Sequence, residues 1–156
     1  MRLYYALALC AITLVGVSCK KKKEVVKQEV LAPKYPSLEN QVQIQDPANI
    51  NYKGKIDNFE ILDVHTQNQF IMVKVAYSGG CAEHFFESSW DGTFLKSMPP
   101  QANLLLTHVN NDDNCRARIE RELAIDTRKL FEKQDGQVKV IINGNRERII
   151  TVNNPE

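Results

Sequence analysis

Cys115-Arg116-Ala117-Arg118-Ile119-Glu120-Arg121-Glu122-Leu123-Ala124-Ile125 is the stretch on which the fold turns, because it reads as two different elements. As a helix it has supporting ion pairs four residues apart, Arg116 with Glu120 and Arg118 with Glu122. As a strand, one face carries Cys115, Ala117, Ile119, Arg121, Leu123 and Ile125, apolar at five of six positions. The other face, Arg116, Arg118, Glu120, Glu122 and Ala124, is charged at four of five. A helical stripe through 115, 118, 119, 122, 123 and 126 gathers only three apolar residues of six. Period two fits better, and the segment is expected to be a strand.

The same period runs outward in both directions. Ile56 to Val64 and Phe70 to Tyr77 are rich in β-branched and aromatic residues and flank polar Thr66 to Asn68, a hairpin signal. Ser78-Gly79-Gly80 breaks the second run, with the glycines expected to free the backbone for a bulge. Glu83 to Trp90 resumes with His84, Phe86, Ser88 and Trp90 on one face, then stops at Asp91-Gly92. Pro99-Pro100 marks another loop, Leu104 to Val109 another strand, and Asn110 to Asn114 a polar connection. Downstream, Asp126 to Gln134 is expected to form one or two helical turns capped by Asp126 or Thr127. Val138 to Ile142, Asn143-Gly144 and Arg146 to Val152 read as a hairpin, since Asn-Gly suits a type I′ turn. About seven short strands in roughly 100 residues predict an all-β domain, an antiparallel β-sandwich over residues 51–156.

The N-terminal third is of another kind. Met1 and Arg2 lead into an apolar run, Leu3 to Val17, that ends in small residues before Cys19 and four lysines, Lys20 to Lys23. The run suits a signal-peptide core and is short for a bilayer span, which needs ~20 residues. Residues 1–18 are therefore expected to be a signal peptide and Cys19 the lipidated N-terminus of the mature chain. Retention would follow from acyl burial at ~0.8 kcal/mol per methylene. The lysines would sit among the headgroups, each adding ~1 kcal/mol against an anionic surface. Residues 19–50, with Pro33, Pro36 and Pro47 and many amides, read as a flexible tether. Within it the alternation Val42, Ile44 leaves room for a short edge strand.

This leader resembles bacterial lipoprotein signals, particularly the looser form of Bacteroidota. Gly16 stands where that pattern has a branched aliphatic residue. Lysines, rather than the acidic residues of surface-exported lipoproteins, follow Cys19, which points to a periplasm-facing location on the outer or inner membrane.

Removing residues 1–18 removes one arginine and no acid, leaving 19 basic and 19 acidic side chains. A balanced domain offers no broad footprint for nucleic acid. The membrane, through the lipid, and a protein or small molecule are the expected partners. Of four cysteines, Cys10 leaves with the signal and Cys19 takes lipid, so Cys81 and Cys115 remain to pair in an oxidising compartment. Closing that loop stabilises by roughly 4 kcal/mol in the chain-entropy account.

The densest chemistry lies in Ser78-Gly79-Gly80-Cys81-Ala82-Glu83-His84-Phe85-Phe86. A Cys81–His84 nucleophile needs a free thiol, which pairing with Cys115 removes. A metal site could draw on Cys81, His84, His108 and Cys115, or on His84, His108, Asp112 and Asp113. The first lacks tight ligand spacing in its second pair, and Asp112-Asp113 in a polar loop reads as a solvated turn, so a structural role is preferred: Cys81 bridged to Cys115, and His84 packed beside Phe86 and Trp90. His65 is expected to be exposed at a strand end. No catalytic residue and no cofactor are expected.

The segment Ser78-Gly79-Gly80-Cys81, then His84 and Phe86, then Trp90-Asp91-Gly92 and a Leu-rich strand leading to Cys115, resembles a group of uncharacterised small lipoproteins of Bacteroidota. More distantly it is similar to the C-terminal β-sandwich of the NigD-like family. That resemblance implies location and fold, and carries no catalytic residues with it. The chain is expected to be a lipid-anchored, non-enzymatic binding or accessory module. The alternatives are a metal-binding protein or metal-dependent enzyme built on His84 and His108, and an inhibitor or immunity-type protein presenting the loops Met98 to Gln101 and Asn110 to Asn114.

Overall fold

The computed structural model describes residues 36–50 and 55–154. The signal, Cys19, the lysine run and most of the tether lie outside the described residues. The described chain is built on strands, β1 Gln41–Gln45, β2 Ile56–Asp57, β3 Glu60–Gln67, β4 Phe70–Gly79, β5 Phe85–Ser89, β6 Gln101–Val109, β7 Ala117–Asp126, β8 Gln137–Ile142 and β9 Ile150–Asn153. They join in one path, β3-β4-β7-β1-β5-β6-β8-β9, with β2 on β6. β9 at one end comes back against β3 at the other, and Arg148 donates to the Ile61 carbonyl at 2.8 Å across the seam.

The all-β expectation holds, and the sandwich is corrected. One sheet curls into a nearly closed barrel around a core that includes Ile71, Val73, Leu104, Leu123, Ile125, Leu130 and Val140. Nor is it purely antiparallel: β1 is parallel to both β5 and β7, and β6 is parallel to β8. The decisive stretch is a strand. β7 pairs with β4 from Phe70↔Asp126 to Gly79↔Ala117, the longest ladder in the fold. Its charges face outward as the pattern required, with Lys74 and Glu120 paired at 2.8 Å and Arg118 and Glu60 at 3.2 Å.

Three boundaries differ from the sequence reading. β1 lies within residues 19–50 yet sits mid-sheet between β5 and β7, with Val42 and Ile44 buried, so the folded unit begins well before Asn51. The run Ile56 to Val64 divides at Asn58-Phe59: β2 pairs with β6 and β3 with β4. At the Asn-Gly pair, Asn143 and Gly144 take φ of 53° and 70°, and Asn145 N–H closes the turn onto Ile142 O at 3.0 Å. The type I′ turn is thus present, but the ladder resumes only at Val140↔Ile150, because Arg146 to Ile149 loop outward first. The expected helical turn is a short 3-10 helix, Arg128–Glu132. Asp126 accepts from Arg128 N–H at 3.0 Å, while the Thr127 hydroxyl turns away to Gln69 O at 2.7 Å.

Because β1 holds β5 and β7 together, thinning its core face should weaken the whole barrel. Ile44→Ala is expected to lower unfolding free energy by about 2–4 kcal/mol with an unchanged urea m-value. A loss below about 0.5 kcal/mol would mean that β1 is peripheral.

Candidate functional site

At one end of the barrel the last residue of β4 and the start of β7 approach each other. Cys81 and Cys115, just beyond them, are joined by a disulfide with Cα atoms 5.9 Å apart. Between the two loops sits the carboxylate of Asp113. Its Oδ2 accepts backbone N–H groups from Gly80, Cys81 and Ala82 at 2.9, 2.8 and 2.9 Å, and its Oδ1 accepts from Cys115 at 2.8 Å. Successive N–H groups converging on one point form an anion nest. Here the anion belongs to the chain itself. The backbone donors of Cys115 and Cys81, then His84, hold the Asp113 pKa far below the ordinary carboxylate range.

His84 continues the chain of contacts. Its Nε2 lies 3.1 Å from Asp113 Oδ2 and its Nδ1 2.8 Å from His108 Nε2. The ionised carboxylate has no hydrogen to give, so His84 Nε2 carries one. In the neutral ring Nδ1 is then a bare acceptor, and His108 Nε2 must donate to it. His108 Nδ1 is buried, with the backbone of Asp57 and Asn58 beside the ring. The two imidazoles are nearly parallel, 14° apart, with centroids 5.0 Å apart. Tyr77 lies 4.8 Å from each ring, and Phe86 4.7 Å and Phe59 6.1 Å from His108. Burial in this aromatic box, then the neighbouring His84, pushes the His108 pKa down.

The glycines acquire a sharper role than backbone freedom. A Cβ on Gly79 would stand 2.6 Å from His84 Cε1, so the strand must be bare where the imidazole crosses it. Gly80 has φ of 115°, a conformation that suits glycine alone.

The arrangement brings Cys81, His84, His108, Asp113 and Cys115 together and leaves Asp112 out; Asp112 is exposed, with φ of 58°. His65, exposed on β3, faces Asp63 at 3.3 Å. The Cys81 sulfur is bonded to Cys115, so the Cys–His nucleophile has no thiol. The histidines and Asp113 form a line with His84 in the middle, each nitrogen of His84 given to one neighbour. A metal site needs their lone pairs to converge on one point instead. The sulfurs and an Asp113 oxygen do lie within 4.8 Å of one another, but the sulfurs are bonded to each other. The His84 and Asp113 side chains are 2% and 0% exposed.

Two participants escaped sequence reading. Tyr77 looked like any strand aromatic. Arg121 had a visible signal, as the one charge on the apolar face of β7. Its guanidinium bridges segments that no ladder joins, donating to Glu39 O at 2.6 Å, Asn40 Oδ1 at 2.9 Å and His84 O at 3.2 Å.

Neither a family model nor a curated protein matches the sequence. Three solved structures are similar in fold. A toxin-related protein from Parabacteroides distasonis has a TM-score of 0.51 at 15% identity over 73% of this chain and 61% of its own. A NigD-like immunity protein from Bacteroides caccae gives 0.49 at 15%, over 72% of this chain and 57% of that one. A DUF1344 protein of unknown function from Bacteroides vulgatus gives 0.46 at 14%, over 72% and 54%. The match thus spans less than two thirds of each relative. At such identity the likeness is one of fold.

The signs of both pKa displacements set the pH response. His108, lowered from 6.5, contributes stability that is present above that value and lost as pH falls through its folded pKa. Asp113, lowered from 3.8, does the same in strongly acid solution. Urea unfolding measured from pH 7.5 to 5 should show His108→Gln flattening the first loss, and at pH 4 to 2 Asp113→Asn flattening the second. Identical slopes in variant and wild type would refute the assignment. Gly79→Ala is expected to destabilise by about 1–3 kcal/mol through the clash with the His84 ring, read in the same assay.

Proposed function

We propose that this chain is a lipid-anchored, non-enzymatic binding or accessory module of the bacterial envelope, held by acylated Cys19 at a periplasm-facing membrane. The observation that carries the non-enzymatic part is the enclosure of the Asp113–His84–His108 line. Its ionisable groups are committed to holding two loops and to one another, and its one thiol pair is bridged. Such a cluster fixes the end of a barrel and offers no reacting group to a ligand. The leader supports the anchor: basic start, apolar run, small residues, cysteine, lysines. The barrel, with its disulfide, supports an oxidising compartment. The likeness to toxin-related and NigD-like immunity folds is compatible with an accessory role and specifies no partner.

The inhibitor reading changes form. Met98 is 93% exposed, but Met98 to Gln101 and Asn110 to Asn114 lie at opposite ends of the nine-residue β6. At ~3.3 Å per residue they stand roughly 27 Å apart and do not make one contact surface. Asn110 is also buried, and Asp113 is turned inward.

Mass spectrometry of the mature N-terminus should find cleavage before Cys19 and fatty acyl groups on it, and detergent-phase partitioning should follow. Cys19→Ser is expected to abolish both and leave the unfolding midpoint of the domain unchanged. A wild-type chain recovered unacylated in the aqueous phase would end the anchor proposal. Turnover of any substrate that depends on His84 would end the non-enzymatic one.

A further inference from the structure

β1 changes neighbour along its length. Gln41, Val42 and Gln43 are in register with β7, whereas Ile44 and Gln45 are in register with β5. Gln41–Gln43 and Phe85–Glu87 therefore flank an opening in the barrel wall instead of sharing a ladder. On one side the Arg121 guanidinium already ties Glu39 to His84 across the opening. On the outer side it becomes a groove of about 500 Å³ lined by Gln41, Gln43, Gln45, Phe85, Glu87 and Val109.

We propose that this groove is a docking slot for an arginine side chain of a protein partner, with Glu87 as counter-ion and Phe85 as stacking face. The inference rests on the binding-module reading and supplies the chemistry of the partner. Glu87 is the one charged residue in the lining, and its Oε2 is enclosed with no hydrogen-bond partner. A carboxylate oxygen in that state favours an incoming donor, and a cationic donor most. The terminal torsion of glutamate is broad, so a small turn presents the oxygen to the groove. Phe85 is 46% exposed, a large apolar ring at the rim. Gln43 donates to Asp126, which leaves its amide oxygen as an acceptor. A carboxylate beside an aromatic face and amide oxygens matches a guanidinium, which is planar, offers five N–H donors and stacks on rings. An ammonium satisfies the charge but neither the plane nor the stacking.

The test is an NMR titration of the whole domain, reading the glutamine side-chain amides and the Phe85 ring. The probes are acetyl-Gly-Arg-Gly-amide, its lysine and citrulline counterparts, and maltose. The arginine peptide is expected to give saturable shifts confined to the groove, with citrulline weaker by at least about tenfold. Glu87→Gln and Phe85→Ala should each weaken the arginine peptide by about tenfold, with their unfolding transitions checked; citrulline against arginine on the wild type decides the matter if either variant unfolds. Equal binding of citrulline, or saturation by maltose alone, would overturn the proposal in favour of a neutral-ligand face. Absence of saturation by the arginine peptide would also overturn it. Should a membrane partner be captured equally by wild type and Glu87→Gln, the binding module survives and the arginine slot does not.

Discussion

A single carboxylate organises one end of this barrel. Asp113 takes four backbone N–H groups from two loops and a fifth hydrogen from His84. Everything near it follows from that charge being where it is. The loop after β4 curls tightly because three consecutive amides point inward at one oxygen. The disulfide closes between residues that the same oxygens already hold, so the covalent bridge and the ionic one restrain the same pair of loops. The tautomer of His84 follows from the inability of the carboxylate to donate, and that of His108 follows from His84. The arrangement is thereby a chain of dependencies that runs inward from Asp113 through His84 to His108.

The other organising element is β1. A five-residue strand at the centre of a sheet is short, and it succeeds by serving two neighbours in succession, β7 with its first half and β5 with its second. Arg121 supplies what the missing ladder does not. Its inward position on β7 is the exception in an otherwise apolar face, and the exception is structural: a guanidinium can reach three oxygens that no neighbouring backbone N–H meets.

The legibility of the sequence differs by element for physical reasons. β7 announces itself through alternation over Ala117 to Glu122, where its outer face is wet, and β4 through its run of β-branched and aromatic residues, since Phe70 to Val73 are buried on both faces. The cysteine pair was readable by elimination, and the importance of the Gly-Gly-Cys-x-x-His segment by density. The identity of its partner was not. Asp113 sits in a polar loop where aspartates are common, and only the fold brings it back onto residues 80–82. β1 was obscured because Gln41, Gln43 and Gln45 outnumber its two buried residues, so its composition resembles a tether. Closure into a barrel was hidden as well, since strand count and turn spacing are shared with sandwiches. The parallel pairings depend on which distant strands become neighbours, and local pattern carries no record of that.

The placement of β1 also has a temporal consequence. Residues 41–45 are made long before their mates at 124–126, and each of the two flanking strands presents a bare edge until that early segment returns. Closing so long a loop is entropically slow, and assembly dominated by distant pairings is slow in general. Zipping β4 to β7 does not complete the barrel, which stays split until β1 is seated between β5 and β7. Wherever β1 is not seated, the edges of β5 and β7 are places where strands of another copy could add.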